Sequence, residues 1–300
     1  MDWIAADWGT THLRLWEIDA DGGVSKRLDS DQGMGVLDPS DYEPTLLGLL
    51  RNRLPEGRAT RILACGMVGA RQGWIEAPYS AVPIAPLAAT RAVKAPTRDP
   101  RLDVHVLPGL SQAEPADVMR GEEMRIAGVF ASEPGFDGVI CLPGLHTIWV
   151  QVSAGEVVSF RTCMTGELLG MLSERSVLRL SVGSTGWDAN AFAEGLDRGL
   201  SRPEALSSSL FTLRAESLLR DLGPEASRAR LTGLLIGTEL ASVRPYWLGQ
   251  DVRVVGEPDM AEAYSRALES QGVAPKILDS EEMTLAGFRA AHEALAAHAH

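Results

Sequence analysis

The sequence predicts an α/β protein built as two duplicated domains. Two observations carry this. Strand-like and helix-like segments alternate along the chain. In addition, the opening strand-turn-strand, Trp3-Ile4-Ala5-Ala6-Asp7-Trp8-Gly9-Thr10-Thr11-His12-Leu13-Arg14-Leu15-Trp16, has an echo in Val139-Ile140-Cys141-Leu142, Pro143-Gly144-Leu145-His146-Thr147 and Ile148–Val152. Each copy is an apolar strand, a glycine-containing turn with hydroxyl and imidazole groups, and a strand bearing a tryptophan. A repeat of this kind suggests duplicated domains facing a shared cleft.

The first domain reads β-β-β-α-β. Its strands lie near Trp3–Ala6, Leu13–Ile18 and Val24–Asp31, with Asp19-Ala20-Asp21-Gly22-Gly23 as the second turn. Pro39 opens a helix through Arg51, and Arg61–Cys65 is an apolar, buried strand. Residues 66–100 are rich in Gly, Pro and Ala and show little periodicity. A loop of that length is usually functional or disordered, and Trp74 and Tyr79 favour an ordered functional one. Val104–Leu107 is a strand, and Glu122–Ser132 a helix stopped by Glu133-Pro134-Gly135. That breaker sets the expected boundary between residues 1–132 and residues 133–300.

The second domain begins with the repeated hairpin, and Val157–Thr162 adds a third strand. Helices follow at 165–175, 188–200, 203–219, 224–246, 258–271 and 281–298, interrupted by strands Val252–Val255 and Lys276–Leu278. In the last helix Met283, Phe288, Ala291 and Leu295 recur at helical spacing, a core-facing stripe that allows this helix to pack back on the first domain.

Composition narrows the function. The chain of 300 residues carries 28 Lys and Arg against 40 Asp and Glu, a net charge of −12, with no basic cluster. Nucleic acid and anionic membranes are excluded as partners, whereas a small anion held by a few local donors is not. No apolar stretch reaches the length of a membrane span, and acidic Asp2 with no basic stretch speaks against a signal peptide. Cys65, Cys141 and Cys163 are odd in number and far apart. They read as three buried thiols of a protein in a reducing cytoplasm. A homo-oligomer is left open.

The turn after the first strand has the parts of a metal-nucleotide site: the hard oxygen of Asp7, the bare backbone of Gly9, and the hydroxyls of Thr10 and Thr11 beside free N–H groups. The same residues also suit an ordinary hairpin turn. Phosphoryl transfer asks for donors to phosphate oxygens, a carboxylate for Mg²⁺ and a base for the acceptor hydroxyl. Asp7 suits Mg²⁺, directly or through water, and two such turns facing each other could clamp a diphosphate. Neither turn is a Walker A loop, and no Gly-x-Gly-x-x-Gly follows a strand. In Met119-Arg120-Gly121-Glu122-Glu123 the acids stand where a loop enters a helix. They serve either the helix dipole or, with one facing the cleft, base catalysis, while Arg120 meets an anion. Thr165 and Glu167 are either a helix cap with a first-turn acid or ligand contacts. His146 either caps its turn or meets phosphate. Trp3, Trp8, Trp16, Trp149 and Trp187 read as core. Trp74, in a polar, Gly-rich loop, is the exception. His12 reads as structural or exposed, and His292, His298 and His300 lack the convergent partners a metal needs.

Together these clusters resemble the 2-dehydro-3-deoxygalactonokinase family, part of the sugar kinase/Hsp70/actin superfamily of duplicated ribonuclease-H-like domains. The resemblance runs over nearly the whole chain. It is carried by Asp7-Trp8-Gly9-Thr10-Thr11, by Cys65-Gly66-Met67-Val68-Gly69 with Gly73-Trp74 and Ala77-Pro78-Tyr79, and by Met119-Arg120-Gly121-Glu122-Glu123. It continues through Pro143-Gly144-x-His146-x-x-Trp149, Phe160-Arg161-Thr162-x-Met164-Thr165-Gly166-Glu167-Leu168 and Gly233-Leu234-Leu235-Ile236-Gly237-x-Glu239. The resemblance implies an actin-like two-domain α/β fold with an interdomain cleft, and transfer of phosphate from ATP, with Mg²⁺, to the 6-hydroxyl of 2-dehydro-3-deoxy-D-galactonate. Phosphates are expected at Gly9, Thr10, Thr11, Gly144, His146 and Thr147, with Gly256 on the adenosine side. The sugar acid is expected at Met67, Gly69, Trp74, Tyr79, Thr165 and Glu167, its carboxylate on Arg120. By a looser analogy with exopolyphosphatases, Glu122 is the base, with Glu123 as fallback and Asp7 as the further catalytic residue.

The chain departs from the family on the nucleotide side. The second turn usually reads Pro-Gly-Thr-His-Ser-Lys-Trp, whereas here Leu145, Thr147 and Ile148 replace the threonine, serine and lysine. Gly256 is followed by Glu257-Pro258 where a small or hydroxyl residue is expected. Either backbone N–H groups still hold phosphate, or nucleotide use is altered. A kinase of another keto-deoxy sugar acid or aldonate, and a non-catalytic sugar-acid sensor, are the alternatives.

Overall fold

In the computed structural model, residues 1–85 and 91–298 are described. Part of the expected loop 66–100 (residues 86–90), the His298 side chain and His300 lie outside them. The chain divides into two compact units: Met1–Phe136 with Ser153–Ser159 and Ser280–His300, and Asp137–Val152 with Phe160–Asp279.

Unit 1 is built on β1 (Trp3–Trp8), β2 (Leu13–Ile18), β3 (Val24–Ser30), α1 (Tyr42–Leu50), β4 (Thr60–Gly66), β5 (Ser80–Ala81), β6 (Val93–Lys94), β7 (Leu102–Val106), β8 (Leu110–Gln112), β9 (Asp117–Met119) and α2 (Glu123–Ser132). The main sheet runs β3-β2-β1-β4-β7-β6. β1 pairs antiparallel with β2 and parallel with β4, setting Asp7 beside Cys65. Alternation along β1 sorts its residues by face. Ile4, Ala6 and Trp8 join the core with Tyr42, Leu46 and Ile62, whereas Trp3 and Ala5 join one with Leu63, Cys65, Met124 and Phe288. A small second sheet, β5-β8-β9, occupies the stretch that lacks periodicity in the sequence.

Unit 2 repeats the plan with β10 (Gly138–Leu142), β11 (Thr147–Ser153), β12 (Glu156–Cys163), α3 (Thr165–Arg175), α4 (Ala189–Ser201), α5 (Leu206–Leu219), α6 (Pro224–Ser242), α7 (Arg244–Trp247), β13 (Val252–Gly256), α8 (Pro258–Glu269) and β14 (Lys276–Asp279). Its sheet order is β12-β11-β10-β13-β14, again two antiparallel hairpin strands beside a parallel crossover. The shared strand order is the duplicated ribonuclease-H-like pattern. α4 and α6 cross closely because Gly195, Gly199, Gly233 and Gly237 face the other helix's backbone: a Cβ on Gly237 would stand 2.3 Å from the Leu196 carbonyl oxygen. The Gly233/Gly237 string is thus a packing device.

The last helix, α9 (Ser280–His298), belongs to unit 1. Phe288 and Ala291, with Leu285, are buried in the unit 1 core and Leu295 packs against it, while Met283 is buried as well. Gly128 of α2 and Gly287 of α9 each sit where a Cβ would meet the other helix's backbone, at 1.9 Å from the Met283 and Met124 carbonyl oxygens.

Three expectations need correction. Cys163 is partly exposed, because it ends the edge strand β12, whereas Cys65 and Cys141 are buried. Trp187 is 44% exposed, resting on Phe192 at the start of α4. The helix expected over 224–246 breaks after Ser242 and resumes at Arg244 with Pro245 in its first turn, where proline is tolerated. Among the described residues, no helix is long and apolar enough to cross a membrane.

Candidate active site

Asp7 lies on the α2 face of the main sheet, one residue before the end of β1. Its Oδ1 is 3.8 Å from the Sγ of Cys65, its register partner on β4. The loop entering α2 closes against the end of β4. Gly66 and Gly121 both have φ in the left-handed region, and a Cβ on Gly121 would stand 3.2 Å from the Gly66 Cα. That approach brings Glu122 and Glu123, at the N-terminus of α2, to the strand ends carrying Asp7 and Cys65. Burial pushes the Cys65 thiol well up, and the charges of Asp7, Glu123 and Glu122 add to it.

The two glutamates differ. Glu123 is 2% exposed; its Oε2 accepts from the Gly121 N–H at 2.6 Å, and its Oε1 has no hydrogen-bond partner. Burial, followed by the Glu122 charge, raises its pKa to about 8. Glu122 is half-buried, and its pKa is raised by burial, with Asp7 adding to the shift and Arg125 opposing it.

Arg120 explains the sugar-side strings. It is buried, and its Nη2 donates to the Ala77 carbonyl at 2.7 Å. Its guanidinium carbon lies over the Tyr79 ring. Gly69 leaves it room, since a Cβ there would be 2.7 Å from Nη1. The second sheet sets this up: β5 begins directly after Tyr79, β9 ends directly before Arg120, and both pair with β8. Nε and Nη1 have no hydrogen-bond partner. A buried cation with two unpartnered nitrogens is costly unless an anion or another acceptor meets it. Met67, half-buried, opens the turn after β4 that also carries Gly69.

Trp74 is not part of this arrangement. It is 8% exposed, stacked on Tyr42 at 5.8 Å and edge-on to Trp8 at 6.3 Å. The Trp74 N–H bonds to the Val68 carbonyl at 2.9 Å, which folds its polar, Gly-rich loop back over the core and turns the indole inward.

The Gly9–His12 turn is closed by the Gly9 N–H to the His12 carbonyl at 2.9 Å. The Met34 and Gly35 N–H groups brace it by bonding the carbonyls of Gly9 and Thr10. Thr10 and Thr11 are exposed there, as is His12, which faces Asp31 at 3.0 Å. His292 stacks on Trp3 at 4.4 Å.

In unit 2 the Pro143–His146 turn is braced from two sides. Gly256 at the end of β13 leaves room for Pro143, and Gly166 in α3 packs where a Cβ would be 2.2 Å from the Gly144 carbonyl oxygen. His146 Nε2 and Glu167 Oε2 are 2.7 Å apart, so Glu167 is engaged with the turn. Thr147 and Thr165 are buried and turned inward. Thr165 donates to Glu239, and Thr147 bonds the Tyr264 hydroxyl at 2.7 Å. Their expected contact with phosphate or sugar acid is corrected accordingly: both hydroxyls are used below the surface. Glu239 also accepts from Trp149 Nε1 at 2.7 Å and from the Tyr264 hydroxyl at 2.8 Å. Burial raises its pKa to about 7 against the pull of these donors. Glu239 closes the Gly233-Leu234-Leu235-Ile236-Gly237-x-Glu239 string, which gave it no role, and Tyr264 carries no motif signal.

Unit 2 also holds an open cavity of about 520 Å³ beside the N-terminus of α8, lined by residues including Gly186, Trp187, Arg228, Asp259 and Arg266. Sequence reasoning missed it because its walls come from three separate helices and a loop. Among the described residues, no three His, Cys, Asp or Glu side chains converge as a metal site. A Mg²⁺ that keeps its waters and rides on nucleotide phosphates needs only one or two carboxylates, which Asp7 can supply.

Residues 7–291 match the family model described as 2-keto-3-deoxy-galactonokinase. A Rhizobium meliloti (strain 1021) protein named "Probable 2-dehydro-3-deoxygalactonokinase DgoK1" is 36% identical over 301 residues, covering 98% of this chain and 97% of its own. The 2-dehydro-3-deoxygalactonokinase of Escherichia coli (strain K12) is 32% identical over 297 residues, covering 98% of both. A crystal structure of a Sinorhizobium meliloti protein superposes with a TM-score of 0.90 at 36% identity, covering 98% of this chain and 99% of that one.

Proposed function

Because the chain belongs to the 2-keto-3-deoxy-galactonokinase family, we propose that it phosphorylates 2-dehydro-3-deoxy-D-galactonate at the 6-hydroxyl with ATP, a step of galactonate breakdown. The observation that carries the reading is Arg120, buried with two guanidinium N–H groups unpartnered. A sugar acid brings a carboxylate to pair with this cation, and a neutral sugar does not. The Tyr79 ring supports the guanidinium from below, and Met67 and Gly69 shape the same wall.

Glu122 takes the proton from the 6-hydroxyl as its oxygen bonds the γ-phosphorus and the bond to the ADP oxygen breaks. Glu122 is preferred to Glu123 because it is half-exposed, whereas Glu123 is closed off and protonated near neutrality. In unit 1 the phosphate-facing hydroxyls are those of Thr10 and Thr11. In unit 2 the Gly144 turn offers backbone N–H groups, with His146 beside them. The cavity beside α8 is the place for the nucleoside, with Trp187 as a stacking face. Bound Mg²⁺ would neutralise charge on the transferring phosphoryl group, with Asp7 as its protein ligand. ATP as substrate and three cysteines outside any disulfide suit a cytoplasmic enzyme.

A coupled ADP-release assay over a panel of sugar acids and neutral sugars tests the proposal. Turnover highest with 2-dehydro-3-deoxy-D-galactonate supports it, and Glu122→Gln should then lower kcat by roughly 10²–10⁴-fold while sparing sugar-acid affinity. A higher rate with another keto-deoxy acid or an aldonate would transfer the activity there. Calorimetric binding of sugar acids with no ADP release would make the protein a sensor.

A further inference from the structure

We propose that Glu239 is the positioning residue of the Pro143–His146 turn, acting through Tyr264, Thr147 and Thr165. The proposal rests on reading that turn as a phosphate site.

Glu239 is 4% exposed and is met by three donors: Trp149 Nε1, the Tyr264 hydroxyl and the Thr165 hydroxyl. In its ionised form Glu239 only accepts, and each donor's direction is then fixed. The Tyr264 proton points at Glu239, and its oxygen is left to accept from Thr147, 2.7 Å away. A directed chain therefore runs Thr147 to Tyr264 to Glu239, and a second runs Thr165 to Glu239.

The two ends of these chains are the two supports of the turn. Thr147 is the residue by which the turn enters β11, and Thr165 is the first residue of α3. The next residue, Gly166, packs on the Gly144 carbonyl, and the Glu167 N–H bonds the Leu145 carbonyl at 2.8 Å. One carboxylate on α6 thus sets the exit of the turn and the helix that braces it. An apolar residue there would fill the space but leave the Trp149, Tyr264 and Thr165 donors unpaired in the core. With Leu145 and Ile148 offering neither a hydroxyl nor a cation to phosphate, the turn depends on backbone N–H groups, whose aim is set by backbone position alone.

The test uses Tyr264→Phe, which cuts the link to Thr147 while keeping the ring and the other bonds of Glu239, and Glu239→Gln. A control, Trp247→Phe, removes a buried bond of the same core that is not part of the Glu239 network, that of Trp247 Nε1 to the Leu240 carbonyl at 2.8 Å. Expected for Tyr264→Phe are a Kd for MgADP and a KM for ATP raised about 5- to 10-fold, with an unchanged KM for the sugar acid. Amide exchange over residues 143–147 should quicken while the rest of unit 2 is unchanged. Glu239→Gln should do the same more strongly. Trp247→Phe should lower Tm without moving any of these. Unchanged exchange over 143–147 in Tyr264→Phe overturns the positioning role, as does equal loosening by Trp247→Phe. Absence of MgADP binding in the unsubstituted protein overturns the phosphate reading instead, because the exchange measurement needs no nucleotide. If Glu239→Gln does not fold, Tyr264→Phe decides alone.

Discussion

The Arg120 guanidinium carbon stands 4.2 Å from the centroid of the Tyr79 ring, with the ring 42% exposed and the arginine buried. The ring covers one face of the cation, and its Nε and Nη1 have no hydrogen-bond partner in the protein. A cation held this way is pre-oriented, so little ordering is lost when a carboxylate arrives.

Arg120→Ala should therefore raise KM for the sugar acid by roughly 30-fold or more, the effect of losing one partner of a buried ionic contact worth about 2 kcal/mol or more. KM for ATP should stay within about twofold. Arg120→Lys should recover little, because one ammonium cannot bond Ala77 and present a planar fork together. Steady-state kinetics with each substrate varied checks this. Equal changes in both KM values would remove Arg120 from the sugar-acid site.

Asp7→Asn should lower kcat by about 10²-fold or more, consistent with several kcal/mol of phosphoryl charge stabilisation. EDTA should abolish turnover of the unsubstituted enzyme while leaving calorimetric binding of the sugar acid intact. Full activity in EDTA would free Asp7 from any metal role.

Stability should fall as pH rises. Glu123 holds a proton in the folded protein up to about pH 8, against an ordinary value of 4.5. Between those values the folded state binds a proton that the unfolded state has lost, so rising pH favours unfolding. Glu239, raised to about 7, acts with the same sign over a narrower window. Tm followed from pH 5 to pH 8 should decline, and Glu123→Gln should flatten the decline. An identical slope in both proteins would show that Glu123 titrates normally.

Trp74→Ala should act on stability rather than on recognition. Loss of a buried indole from the Trp8–Tyr42 cluster costs about 3–5 kcal/mol, read from urea unfolding. Trp74→Phe should retain much of the stability with an unchanged KM for the sugar acid. A raised KM in Trp74→Phe would return the residue to the ligand site.

The two large sheets were legible because each hairpin begins with a short apolar run that ends at a glycine-containing turn and is followed by a second strand bearing a tryptophan. The helices of unit 2 were legible from spacing and from prolines in their first turns. What escaped was long-range. Strands β5, β8 and β9 are two or three residues each and too short to show a period. Trp74 sits in a loop of polar and glycine residues, and only the fold-back onto Val68 turns it inward. Thr147 follows the exposed Leu145 and His146 and Thr165 precedes Gly166, yet their own hydroxyls point down to Tyr264 and Glu239, residues far along the chain. The cluster of Asp7, Glu122 and Glu123 and the Arg120 pocket were legible as strings, because glycines at 66, 69 and 121 mark the close approaches that assemble them.

The glycine crossing of α2 and α9 bears on the order in which the protein matures. Unit 1 contains nearly all of the first 136 residues, yet the helix that seals its α2 face is encoded after unit 2. While the chain is being synthesised, Trp3, Trp16 and Met124 stay uncovered until Phe288 and Ala291 leave the ribosome. Unit 2 has all its strands and helices available sooner. The face of unit 1 that carries the acidic cluster at the start of α2 is therefore completed by the last segment of the chain to be made.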